Sequence, residues 1–133
     1  MIVLDTDLCI ELLRHNDTVI SHRLARHEPV AVSFMTAAEL YYGASKSADP
    51  EHNLRTVSAF LNVVEVVESS DSLVERFGRL KAELERAGQV LPDADLLIAA
   101  TALSVGGSLA TGNGRHFGRI QGLTIEDWLS DDS

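Results

Sequence analysis

Cysteine is nearly absent from this 133-residue sequence, and Cys9 stands alone. A single thiol excludes a disulfide framework and a cysteine zinc site, and it suits a reducing cytosol. Nine glycines and three prolines are too few for a collagen-like repeat or a low-complexity linker. With 45% hydrophobic and 23% charged residues the chain is not a disordered tail either. Positive charge is scarce: 11 Lys and Arg face 20 Asp and Glu, for a formal charge of −9. Such a chain is not built to adhere to DNA, although RNA can still be held through a local basic rim or through metal ions. Long apolar runs are missing as well. The most apolar stretch, Leu96 to Ala110, is broken by Thr101, Ser104, Gly106, Gly107 and Ser108, and it is shorter than the roughly 20 residues of a membrane helix. Met1-Ile2-Val3-Leu4 runs straight into Asp5 without a basic start, so no signal peptide is expected and a cytoplasmic location is. What is present is length for one domain, 1–133, enough to build a full core without staples.

Hydrophobic spacing divides that length into alternating elements. Ile2-Val3-Leu4 reads as a strand buried on both faces, and Leu8, Leu12 and Leu13, then Ile20 and Leu24, continue on a helical face interrupted at Asn16-Asp17. Pro29 is expected to stop that helix and Val30 to Ser33 to form a second strand. Thr36-Ala37-Ala38-Glu39 has the pattern of a capping box opening a helix. Asp49-Pro50 restarts it, with Leu54, Val57 and Leu61 inward. Asn62 to Val67 reads as a third strand. Ser70 to Ala87 is an amphipathic helix with Leu73, Phe77, Leu80 and Leu84 inward, closed by Gly88. A further helix runs from about Asp95 to Val105, capped by Asp93 after Pro92, and Ser108 to Thr111 and Leu123 to Ile125 are the fourth and fifth strands. Strands alternating with helices specify a parallel sheet of four to five strands with helices on both faces, a three-layer α/β/α fold. In such sheets ligands sit beyond the carboxyl ends of the strands.

Acidic residues occupy those ends. Asp5 follows strand one directly, Glu39 lies in the first turns after strand two, and Asp95 opens the helix leading to strand four. Each also reads as structural: Asp5 as a helix cap, Glu39 as half of a capping box, and one of Asp93 and Asp95 as a cap. Taken together they describe three carboxylates that would repel one another unless a cation joins them. An all-oxygen donor set selects Mg²⁺, or Mn²⁺, over zinc. Such ions activate water and stabilise a leaving alkoxide, so phosphodiester hydrolysis is the natural chemistry. The histidines, His15, His22, His27, His52 and His116, show no metal-ligand spacing and read as surface or rim residues.

Several motifs in order resemble one family across nearly the whole chain. They are Leu4-Asp5-Thr6-Asp7, Thr36-Ala37-Ala38-Glu39-Leu40 with Tyr42-Gly43-Ala44, Asp95-Leu96-Leu97-Ile98-Ala99-Ala100, Thr111-Gly112-Asn113 with His116-Phe117, and the closing Leu123-Thr124-Ile125-Glu126-Asp127-Trp128. The chain resembles PIN-domain ribonucleases of the VapC type, the toxin half of bacterial toxin–antitoxin pairs. The resemblance implies a PIN-like fold and a Mg²⁺-dependent endoribonuclease of transfer or ribosomal RNA leaving 5′-phosphate and 3′-hydroxyl ends. It places the acidic triad on Asp5, Glu39 and Asp95 as catalytic residues and metal ligands, with Asn113 at a fourth catalytic position where many relatives carry aspartate. Thr6, Asp7, Asp93 and Thr111 fall at supporting positions. Asp7 stands where relatives often have asparagine, and it also reads as a cap. His116 replaces an aspartate common among relatives with this ending, and with Arg115 and Arg14 it suggests contact with RNA phosphate. Tyr41 and Tyr42 offer rings for stacking a base or for packing. The implied partners are RNA and a VapB-like antitoxin, in a homodimer and a toxin–antitoxin hetero-oligomer, with no membrane.

Rival readings share the acidic start. Asp5-x-Asp7 mimics the nucleophile pair of haloacid-dehalogenase-like phosphatases, which also want a late lysine, whereas Lys46 and Lys81 are the only lysines here. A phosphoacceptor receiver domain needs an aspartate ending strand three, where Val66-Val67-Glu68 stands. A catalytically degenerate PIN domain that only binds RNA or a partner is the remaining alternative, because Asn113 brings no charge.

Overall fold

The structure is a computed structural model that describes residues 1–129. Its elements follow in the order β1 (Ile2–Leu4), α1 (Thr6–Leu13), α2 (Asp17–Leu24), β2 (Val30–Ser33), α3 (Phe34–Ser45), α4 (Pro50–Val63), β3 (Glu65–Val67), α5 (Asp71–Arg86), α6 (Asp93–Ser104), β4 (Ser108–Thr111), α7 (Gly114–Phe117) and β5 (Ile125–Asp127). The strands form one five-stranded sheet in the order β3-β2-β1-β4-β5, every neighbouring pair parallel. The chain winds outward from β1 through β2 to β3, then crosses back to place β4 on the other side of β1. That reversal leaves a crevice at the carboxyl ends of β1 and β4, the position where parallel sheets hold ligands.

Side chains on a strand alternate between faces, and here each face has its own core. Val3 and Leu109 pack with Leu73, Leu80 and Leu84 of α5 and with Leu96, Ile98 and Ala99 of α6. Ile2, Leu4, Val30, Val32 and Ala110 pack on the other face with Leu8, Cys9, Val19, Leu40, Val57 and Trp128. The central strand is therefore apolar at every position, as β1 reads in the sequence. Helix α6 is apolar nearly all round, and its buried residues run consecutively from Ile98 to Ala102, so it behaves as a core helix.

Local signals place several boundaries where the sequence puts them. Pro50 opens α4, Ser70 caps α5 by accepting from Leu73 N, and Gly88 with φ +69° ends it. Other boundaries differ. The helix after strand two starts at Phe34, capped by Ser33, whose hydroxyl accepts from Met35 N at 3.0 Å. The capping box expected at Thr36 and Glu39 is not used, and both side chains point elsewhere. Helix α2 ends at Leu24, before Pro29, and Leu24 is exposed rather than inward. Asn62 and Val63 finish α4, and β3 begins only at Glu65, after Val64 turns the backbone to an extended conformation. Helix α6 starts at Asp93 with Pro92 at the cap position and no side-chain cap bond, so Asp93 is not the cap. The fifth strand lies two residues later than expected, at Ile125–Asp127.

Candidate active site

Asp5 leaves the end of β1 and caps α1. Its Oδ1 accepts from Thr6 N at 2.8 Å, and its Oδ2 accepts from Thr111 Oγ1, also at 2.8 Å. The second bond joins residues 106 positions apart and spans the gap between the ends of β1 and β4. Asp5 is 6% exposed, and the cost of burying its charge pushes its pKa from 3.8 up to about 6. The hydrogen bonds from Thr111 and Thr6 act against that rise, and the negative charges of Asp7 and Asp95 add to it. The cap reading of Asp5 holds through Oδ1, while Oδ2 is turned to Thr111 across the ends of β1 and β4.

Thr6 links this carboxylate to the next. Its hydroxyl donates to Glu39 Oε1 at 2.7 Å and lies 3.0 Å from the buried hydroxyl of Thr36. A hydroxyl has one proton to give, and that of Thr6 goes to Glu39, so Thr36 donates to Thr6. The Thr36 that looked like a helix cap is thus the far end of a relay from α3 through α1 and back to Glu39. Thr111 serves similarly: it donates to Asp5 and accepts from Asn113 N at 3.0 Å. Asn113 itself begins α7 without a side-chain cap bond.

Asp95, in the first turn of α6, meets His116 of α7, with Oδ2 and Nε2 2.7 Å apart. This pairing was not foreseen, because residues 21 positions apart in two short segments carry no shared periodicity. Asp93 is bound instead by Lys81 of α5, Nζ to Oδ1 3.0 Å, and ties α6 to its packing neighbour. Arg14 is 73% exposed and 3.8 Å from Glu11, and Arg115 is exposed on α7. The site thus unites Asp5, Thr6, Glu39 and Thr111 by direct bonds and brings Asp7 and Asp95 within electrostatic reach of Asp5.

Among the described residues no three His, Cys, Asp or Glu side chains form a closed cage for a metal as they stand. Carboxylates without a cation repel, and here each of the three takes a hydroxyl, backbone or imidazole donor. The donor chemistry suits a hard divalent ion: the carboxylates and hydroxyls offer only oxygen, and Asp5 is a buried acid with Asp7 and Asp95, but no lysine or arginine, among the groups that shift its pKa.

A parallel sheet reversing at β1 and β4, with acidic residues at that crevice, is the architecture of the PIN domain, and the profile described as PIN domain matches residues 2–123. The chain belongs to that family. Within it, the chain belongs with the VapC ribonucleases: it is 35% identical to "Ribonuclease VapC2" of Rickettsia felis over 129 residues, 95% of this chain and 96% of that protein. It is 37% identical to the "tRNA(fMet)-specific endonuclease VapC" of Salmonella typhimurium over 127 residues, again 95% and 96% of the two chains. Among solved structures, DNA-bound VapBC from Salmonella typhimurium is similar with a TM-score of 0.90 at 35% identity, covering 96% of this chain and 97% of that chain. The phosphatase and receiver readings are thereby set aside.

Proposed function

We propose that this chain is a Mg²⁺-dependent endoribonuclease, acting as a single domain in the cytoplasm as the toxin of a toxin–antitoxin pair, with tRNA as its substrate. The observation that carries the reading is Asp5: a carboxylate almost fully buried at the sheet's reversal point, raised to a pKa of about 6, and next to two more acids. A site that concentrates negative charge in this way loses stability unless a cation is its normal occupant. The substrate class follows the Salmonella relative, which is named as tRNA(fMet)-specific.

In this reading Asp5, Glu39 and Asp95 hold the ion. When bound, a divalent ion supplies the positive charge that the attacking water and the phosphodiester transition state both need. The chain's own contribution is orientation. Asp5 is gripped on both oxygens, and Glu39 is aimed by the Thr36–Thr6 relay, so neither carboxylate reorganises during the reaction. Asn113, at the start of α7 with no cap bond of its own, orients water or phosphate through its amide in this reading. Arg14, in a loose exposed pair with Glu11, and exposed Arg115 follow the RNA backbone outside the acidic centre. The partner is a VapB-type antitoxin, as in the VapBC complexes of Rickettsia felis and Salmonella typhimurium. An acidic crevice suits an antitoxin element that brings a basic side chain to it.

The test is cleavage of purified tRNA by antitoxin-free protein. Wild type cuts with Mg²⁺ or Mn²⁺, leaves 5′-phosphate ends, and stops in EDTA. Asp5→Asn, with an unchanged circular-dichroism spectrum, loses about 10²–10³-fold in rate or more. Cleavage that persists in EDTA or in Asp5→Asn overturns the reading. A wild type that binds tRNA but never cuts it, with either ion, assigns the degenerate alternative instead.

A further inference from the structure

Asp5 and Glu39 are steadied by threonine hydroxyls, whereas Asp95 is met by an imidazole from α7. Helix α7 is only four residues long, and Phe117, 1% exposed, anchors it to the core. The His116 ring stands edge-on to that buried ring, centroids 5.4 Å apart and planes at 85°, so packing fixes its direction. It points Nε2 at Asp95 Oδ2 across 2.7 Å, with side-chain exposures of 24% and 28%. An ionised carboxylate only accepts, so Nε2 carries the proton in this bond. Among the described residues this is the hydrogen bond that holds the Asp95 carboxylate.

We propose that His116 is a positioning residue for Asp95: it occupies Oδ2, fixes the carboxylate plane and leaves Oδ1 for the cation. It acts without being a ligand itself. Carboxylates that bind metals are commonly held by such outer donors, and losing one costs about 10–100-fold in metal affinity. The inference rests on the proposed role of Asp95 in holding a divalent ion. It replaces a direct phosphate contact as the work of His116.

Binding of Mn²⁺ to the full, antitoxin-free chain, followed by electron paramagnetic resonance without RNA, separates the outcomes. His116→Leu is expected to weaken Mn²⁺ binding about 10–100-fold, while His116→Gln, whose amide still donates, recovers most of it. Both variants are expected to melt within a few degrees of wild type; His116→Ser takes the place of His116→Leu if that variant does not fold. In an Asp95→Ala background His116→Leu is expected to change nothing further. Nitrogen coupling from an imidazole in the wild-type Mn²⁺ signal, or an added loss in the Asp95→Ala background, overturns the positioning role in favour of direct ligation. Unchanged affinity in His116→Leu, with Asp5→Asn still abolishing binding, overturns the proposal and leaves the metal site standing. A wild type that takes up no Mn²⁺ defeats the metal-site reading itself.

Discussion

Asp5 is ordinary in composition and unusual in setting, and its setting has a thermodynamic consequence. A carboxyl whose pKa is higher in the fold than in the unfolded chain stabilises the fold while protonated. That contribution is complete below pH 3.8 and is lost as pH rises through about 6. The loss is on the order of 3 kcal/mol in metal-free protein. Chelator-treated wild type is therefore expected to lose stability between pH 4 and 7 relative to Asp5→Asn, in which this dependence is absent; urea midpoints at each pH measure it. The place of this acid at the end of a buried strand was legible in the sequence, although the same position reads equally as the helix cap that it also is. Its partners were not. Thr111 is 106 residues away, and Thr36 was masked by a capping pattern that the fold does not employ. A local motif cannot report that Ser33, three residues earlier, takes the cap instead.

Among the elements, the boundaries that deviated have separate causes. Asn62-Val63-Val64 is β-prone, yet α4 continues to Val63 because Phe60 and Leu61 keep the helix on the core beside β3; packing overrides propensity. For β5 the two-residue shift preserves parity, so Leu123 and Ile125 both still face the core. A period-two pattern cannot distinguish registers that differ by two. The start of β4 is more strictly determined. A Cβ on Gly107 would lie 2.4 Å from the backbone oxygen of Met1, the same oxygen that accepts from Ser108 N at 3.2 Å. Neither atom is on a flexible side chain, so the strands would have to part. Gly107→Ala is expected to cost roughly 1–3 kcal/mol, read as a lower urea midpoint with an unchanged slope, and to weaken cleavage through the displaced Thr111.

For the molecule as a whole, a formal charge of −9 makes the compact state self-repelling, and the crevice gathers part of that charge. Binding to the folded form alone stabilises it, by about 2.7 kcal/mol at 100 times the dissociation constant. MgCl₂ or MnCl₂ is therefore expected to raise the melting temperature of wild type beyond KCl of equal ionic strength, and to leave Asp5→Asn with no such excess. Equal shifts in both proteins would mean simple screening. At this scale the sequence was most informative, because alternation of strand and helix dictates a parallel sheet and its carboxyl edge. The order of the strands was not visible in it. Nothing local says that β4 crosses back beside β1, although the whole site depends on that step.

That crossing has a consequence for how the protein is made. A ribosome that has delivered only the first half of the chain has released Asp5 and Glu39 but neither Asp95 nor the threonine that steadies Asp5. Because β1 lies in the middle of the sheet with β4 and β5 on its far side, the nascent polypeptide has an open flank where the crevice will be. The crevice is closed on that side only once α6 and β4 have been made, so a chain stopped before them lacks half of the proposed site.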